Sequence, residues 1–487
     1  MTEVGLLCLN RNFGGLENSS SKIKEIFKIE YGHKYDEEVE GNFSVLDAIK
    51  KNILDSNSRY LMLISEGNDG SDIIKYLLDS LGKKYIELVG SKYKKDINSG
   101  RYSEEILDKI KYIMETESIL ILRDLDMIYA SLYDLFNQNF TCMGDKKFAR
   151  IAFETARISS EVNKNFHCIV IVDRNQIENL KLDPPFLNRF EKHIVNFKIL
   201  LEKRDIEIAQ KIYNFIELIS TFNKEKKLKI DLEKLLVNCK LHNIEGLIFK
   251  IKNSLNDNLN ENEELLKDDN PDYEKTIVKQ IFKKIVPTFC QDIIASLMSC
   301  KFDQKYKYMS ETIIEIYKQS FCNNFEVFFR KIESKRNIIY TFSKSNEDLF
   351  KEKQDIKNKY GIFNNQSTSD KTVDSIKAEE DLIFILKEFI NEEKKQLLIL
   401  RFSENELNKM NSVNYVINNY QKENPLLAEK IILFIVHKQR FEKDVKLKKI
   451  IIPDLIPLIN YEYNQIFIDN LQGRENLDVF KIMQKKK

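Results

Sequence analysis

Proline, histidine and glycine are all scarce in this 487-residue sequence, at seven, five and fourteen residues. Five histidines, with seven scattered cysteines that never form a CxxC, give no zinc-ligand spacing. Cys8, Cys142, Cys168, Cys239, Cys290, Cys300 and Cys322 therefore read as free thiols in a reducing compartment. Charge of one sign is also lacking. Lys and Arg number 77 against 76 for Asp and Glu, so no global basic field supports nucleic-acid binding. No apolar run approaches the ~20 residues of a membrane span. The opening MTEVGLLCLNRNFGG lacks the charged start and sustained apolar stretch of a signal peptide. A cytoplasmic protein is the expectation. What is present, 43% hydrophobic and 31% charged residues, suffices for two to four folded domains.

The pattern changes along the chain. Residues 1–40, with an RNFGG turn and the amphipathic SKIKEIFKIEYG, are too short for a core and read as the tail of a preceding unit. From about residue 41 to 198, apolar runs alternate with helical patterns: RYLMLIS, YIELVG, SILILRDL and FHCIVIV are the strands. Near-continuous apolar strands between helices predict a parallel sheet covered on both faces. Residues 199–336 carry apolar positions at helical spacing and predict an all-helical module, with a solvated loop over 256–275. From 337 to 487 a second α/β pattern follows: NIIYTFS, a polar mobile stretch ending in NNQSTSDKT, QLLILRF, KIILFIV and a final apolar stretch. LILR occurs in both α/β segments, at 120–123 and 398–401, in the same order of elements, which suggests a repeat. The predicted fold class is α/β plus all-α: tandem P-loop NTPase-like units with a helical lid module between them.

Three positions test such a unit for chemistry. An intact phosphate cradle, G-x-x-x-x-G-K-[ST], uses glycine amides, a lysine and a magnesium-binding hydroxyl. The loop after the first strand reads Ser65-Glu66-Gly67-Asn68-Asp69-Gly70-Ser71-Asp72. Gly67, Gly70 and Ser71 are there, but the lysine is not. A carboxylate facing a phosphate charge at ~4 Å costs about 4 kcal/mol at an effective dielectric near 20, and this turn has three. The third strand of an active unit would end in Asp-Glu; here it ends in Arg123-Asp124, and an arginine does not hold Mg²⁺. In the second segment Arg401 stands at the same place, and the loop TFSKSNEDLF has no glycine. The third position lies in KLDPPFLNRFEKHIVNF, which spends two of the seven prolines just ahead of an arginine. Pro184 and Pro185 fix the start of a short helix, and a charged helix is expected after it. Arg189 is then either an arginine finger aimed at a neighbour's nucleotide or a local residue that pairs with Glu191 or caps a helix. His167 and Cys168 point to opposite faces of a strand and read as structural.

Together RYLMLIS, SLYDLFNQNF, NFHCIVIVD and LDPPFLNRFEKHIV resemble the mysterin-type giant AAA+ E3 ubiquitin ligases; KQLLILRF, VNYVINN, KIILFIV and IFIDNL continue the resemblance. In that family six tandem AAA+ units form a dynein-like ring, only the central ones hydrolyse ATP, and a zinc-binding ligase module follows. The resemblance implies that this chain corresponds to the last two, degenerate units. It would be a partial product or split subunit, closing the ring and coupling active ATPase units to ubiquitin transfer. The implied partners are other AAA+ units and an E3 zinc module, in cis or trans, with the ubiquitin machinery reached indirectly and neither nucleic acid nor membrane involved. No catalytic or metal residue carries over. No cofactor is expected, and ATP with Mg²⁺ would enter only where a degenerate pocket kept binding. The alternatives are an active dynein-type or clamp-loader-like ATPase with an atypical phosphate loop, and a standalone helical interaction protein.

Overall fold

A computed structural model describes residues 44–153, 156–178, 182–225, 241–257, 272–289, 302–320, 336–341, 368–437 and 463–467, with isolated positions in 5–29 and 294–298. The chain divides into two units, residues 1–200 and 201–487. The helix expected over SKIKEIFKIEYG, the helix expected over LEKLLVNCK and the loop TFSKSNEDLF lie largely or wholly outside the described residues.

In the first unit the apolar runs become five parallel strands: β1 (Leu61–Ser65), β2 (Tyr85–Val89), β3 (Ile119–Arg123), β7 (His167–Asp173) and β8 (Glu191–Ile194). Their order across the sheet is β2-β3-β7-β1-β8. Helix α1 (Val45–Leu54) starts at Ser44, whose hydroxyl accepts from the Asp47 amide. Helices α2 (Asp69–Ser80) and α3 (Gly100–Met114) follow β1 and β2. On one face of the sheet Met62, Ile64, Leu120, Leu122, Cys168, Val170 and Val172 form a single core with Ile106, Ile110 and Met114 of α3.

The structure departs from the sequence reading at two places here. A three-stranded antiparallel sheet, β4 (Phe140–Met143), β5 (Lys146–Phe153) and β6 (Ala156–Val162), is inserted between β3 and β7, where no strand was expected. The segment after Arg189 is strand β8, not a charged helix. It pairs in parallel with β1, Leu61 opposite Glu191. Its charged side chains are buried because each meets a partner. Glu191 accepts from Arg11, Asn52 and His193, and the Lys192 ammonium donates to the Leu187 carbonyl at 3.0 Å.

The second unit begins with helices α5 (Lys203–Glu225), α6 (Leu241–Asp257), α7 (Tyr273–Ile285) and α8 (Gln304–Ser320), successive helices packing together. A four-residue helix at Pro184–Leu187 in the first unit is α4. Asp205, fully buried at the start of α5, accepts from Lys252 of α6 and Tyr273 of α7, each at 2.7 Å. One carboxylate thereby ties three helices. The second sheet is also parallel: β9 (Arg336–Thr341), β10 (Thr368–Thr372), β11 (Leu397–Phe402), β12 (Ile431–His437) and β13 (Tyr463–Phe467), ordered β10-β11-β12-β9-β13. Counting each sheet's own strands from its start, both units have the order 2-3-4-1-5. Strand β10 corrects the reading of its segment as a mobile polar stretch: TSDKT contains no apolar residue, yet it pairs with β11 in register. Helices α9 (Glu379–Asn391) and α10 (Met410–Glu423) flank β11 in sequence and pack against each other. Among the described residues no helix is long and apolar enough to cross a membrane.

Candidate functional site

A P-loop fold works where its first strand delivers a loop into a helix N-terminus, beside the end of the third strand. In the first unit this is the turn Glu66–Asn68 between β1 and α2. Gly67 sits at φ +55°, a conformation that favours glycine. Gly70 lies in the first turn of α2. A Cβ there would stand 2.6 Å from Ser65 Oγ and 3.2 Å from Ile171 Cγ2, so Gly70 lets α2 lie close on β1 and β7. With Gly70 as the second motif glycine, Ser71 occupies the lysine position and Asp72 the hydroxyl position.

The functional groups at this point are committed to one another. Ser71 Oγ donates to Glu87 Oε1 at 2.7 Å, and Lys75, one turn further along α2, reaches Glu87 Oε2 at 2.6 Å. Glu87 comes from the middle of β2. Arg123, at the end of β3, donates from Nη1 to Asn68 Oδ1 in the phosphate loop, and its Nε lies 3.9 Å from Glu87 Oε1. The arginine thus joins β3, β2 and the loop. Burial pushes the Glu87 carboxyl up, but Arg123, Lys75 and the two hydrogen bonds outweigh it and hold the group below the ordinary glutamate range. Asn68 gives α2 no side-chain cap, and Asp69 and Asp72 fill its first turn. Their charge already meets the positive helix end, where an anion would bind.

Asp124 follows with φ +57°. Its carboxylate is paired with Lys92 at 2.8 Å. The left-handed turn is matched across the strand end by Gly90, whose amide donates to the Arg123 carbonyl at 2.8 Å. A Cβ on Gly90 would lie 1.7 Å from the Asp124 carbonyl oxygen, so no side chain fits there. The sequence signal, a glycine directly after YIELV, was available but has meaning only once β2 and β3 are aligned.

The prolines ahead of Arg189 are the first two residues of α4. They aim Phe186, 2% exposed, into a cluster with Tyr129, Phe136 and Phe190 at centroid distances of 4.7, 5.8 and 5.2 Å. Arg189 lies just past the helix. Its guanidinium stacks 3.8 Å above the Tyr133 ring, and Nη1 donates to the Pro185 carbonyl. Of the local roles expected for it, the helix cap is the one formed; Glu191 is taken by Arg11, Asn52 and His193. His167 and Cys168 are both buried in β7. His167 Nε2 meets Asn52 Oδ1 at 3.0 Å, and burial lowers its pKa from 6.5 to about 4.

The second unit repeats one part of this arrangement. Arg401, at the matching place in β11, donates from Nε to Asp370 Oδ1 at 2.6 Å and from Nη2 to Oδ2. Asp370 comes from the middle of β10. In β2 and β3, Glu87 is paired with Ile121, two residues before Arg123. In β10 and β11, Asp370 is paired with Ile399, two residues before Arg401. The register offset is identical.

Comparison with known proteins follows the same lines. Residues 50–201 match the family model described as the RNF213 AAA domain. The human E3 ubiquitin-protein ligase RNF213 is 28% identical over 163 residues, 34% of this chain and 3% of that protein. Its mouse counterpart is 28% identical over 214 residues, 42% and 4% of the two chains. The zebrafish E3 ubiquitin-protein ligase rnf213-beta is 29% identical over 160 residues, 31% and 3%. The matched stretches amount to only 3–4% of the length of these relatives. With its parallel sheet, its loop-to-helix turn and these matches, the segment from residue 50 to 201 is a mysterin-type AAA+ domain.

Proposed function

We propose that the chain is a non-hydrolysing AAA+ scaffold segment of a mysterin-like E3 ubiquitin ligase, which closes an AAA+ ring and couples active ATPase units to a ubiquitin-transfer module. The observation that carries this reading is the Arg123 guanidinium bonded to Asn68 of the phosphate loop and facing Glu87. These residues do not suit a magnesium–triphosphate. A fixed positive charge stands where a metal-binding carboxylate is needed, the lysine position holds Ser71, and Asp69 is buried at the helix end that would receive the phosphate. The domain organisation that goes with this reading is a preceding unit's tail over 1–40, AAA+ units over 41–198 and 337–487, and a helical lid over 199–336. Other AAA+ units and a zinc-containing ligase module would be its partners, in cis or in trans, and the cytoplasm its compartment.

Steady-state ATP turnover with Mg²⁺ tests it, for wild type and Arg189→Ala. Turnover at background level in both is the expected result. Hydrolysis by wild type that Arg189→Ala abolishes would refute the scaffold role and make Arg189 a working finger.

A further inference from the structure

Two sheets of one chain place an arginine at the same point of the third strand and a carboxylate at the same point of the second. One such pair could be an accident of surface charge. Two pairs with an identical register offset, at the strand ends where an AAA+ unit would bind its nucleotide and metal, indicate a shared task. The two pairs reach it with different residues: Glu87 with Arg123, and Asp370 with Arg401. The second pair is a direct two-pronged contact, while in the first Glu87 is also held by Lys75 and Ser71 and the arginine extends to the loop.

We infer that each pair is an internal lock that takes the place of bound cation and nucleotide, fastening the end of the third strand to the middle of the second so that the sheet tip keeps one conformation whatever nucleotide is in solution. In an active unit the metal and phosphates bridge the loop after the first strand to the end of the third. Here Arg123 makes that bridge with its own side chain. The forked guanidinium suits the task because it donates in several directions at once from a planar group. A lysine would reach one partner. The inference rests on the non-hydrolysing reading of these units.

The test is amide hydrogen exchange on the full chain, with and without Mg²⁺–ATP, for wild type, Arg123→Met, Arg123→Lys, Arg401→Met and Arg401→Lys. Wild type should exchange at the same rate in both conditions. Each methionine variant should speed exchange roughly tenfold or more at the strand ends of its own unit, and at residues 66–71 for Arg123→Met, a factor equivalent to about 1.4 kcal/mol. The lysine variants should fall between. Residues 168–172 and 432–436, inside each sheet, report whether a variant has simply unfolded. If methionine at 123 proves too disruptive, Asn68→Ala removes the loop arm of the lock alone and should speed exchange only at 66–71. Tips as well protected in the arginine variants as in wild type would overturn the lock. Protection of the wild-type tips by Mg²⁺–ATP would instead overturn the scaffold reading beneath it.

Discussion

In the first α/β unit both members of the arginine–carboxylate pair are nearly out of water, with side-chain exposures of 12% for Arg123 and 10% for Glu87. In the second, Arg401 is 7% exposed but Asp370 is 41% exposed. The geometry runs the other way: the open pair is in direct contact and the closed one stands at 3.9 Å with extra partners around it. Burial decides the energetic consequence. A charge in water loses little when its partner goes, whereas a buried one is left without solvation. The same topology therefore carries one lock that is integral to its core and one that is a surface latch.

The tip following the second strand differs just as clearly. Gly90 in the first unit is succeeded at the same register by Val373 in the second, which is fully buried. Giving the first unit the second's residue, by Gly90→Val, drives a side chain into the Asp124 carbonyl. We expect a loss of about 4 kcal/mol or more, or failure of the first unit to fold, seen by denaturant unfolding followed through that unit. Tolerance of valine would mean that the left-handed turn at Asp124 is not needed.

Acid should separate the units next. His167 opens the fourth strand of the first sheet; at the matching register the second has Ile431. The histidine's folded pKa is depressed from 6.5 to about 4 by burial, although Glu191 and Asp55 pull it upward. The unfolded chain thus binds this proton first. Stability is intact above about pH 6.5 and is lost as pH falls towards 4, by up to about 3 kcal/mol. His167→Gln should flatten that dependence in the first unit and leave the second unchanged.

Breaking the pairs sharpens the contrast directly. Arg123→Met should cost the first unit about 3 kcal/mol, and Arg401→Met the second about 1 kcal/mol. Salt should act mainly on the second: raising KCl from about 0.05 to about 1 M shortens the screening length severalfold, which an exposed aspartate feels and Glu87 does not. Glu87 brings its own pH window. Its carboxyl is held below the ordinary value, so its contribution is present above about pH 4.3 and fades as pH falls through the folded value. The stability gap between wild type and Glu87→Gln should close in that range.

A further small effect, of the size expected for Arg401→Met, concerns the helix beside the second sheet. Lys430 is buried, and its ammonium donates to the carbonyls of Phe389, Ile390 and Glu392, at 2.5, 3.2 and 3.0 Å, closing the C-terminus of α9. Lys430→Met should lower the second unit's stability by about 1–2 kcal/mol without changing the first.

The strands that were legible in the sequence are those that bury both faces, such as LMLIS, ILILR and IILFIV. Their apolar content is a local property. Strands β8 and β10 were illegible for the opposite reason. EKHI is polar and lies inside because Arg11, some 180 positions earlier, supplies its counter-charge. TSDKT gains its place from pairing with β11. The site was legible in half. Arg123 and Arg401 stood out because each occupies a position reserved for an acid. The carboxylates that answer them did not, since Glu87 and Asp370 acquire meaning only through strand register. Likewise the two prolines pointed to Arg189, but what they position most firmly is Phe186, in an aromatic cluster assembled from residues 129 to 190.

The central claim is that both sites are held shut by the chain's own side chains. Calorimetric titration of the full chain with Mg²⁺–ATP tests it most directly. The account predicts no saturable heat at either unit, in wild type and in Arg189→Ala alike. Stoichiometric binding by wild type would contradict it, and would mean that Arg123 or Arg401 leaves its carboxylate to admit the nucleotide.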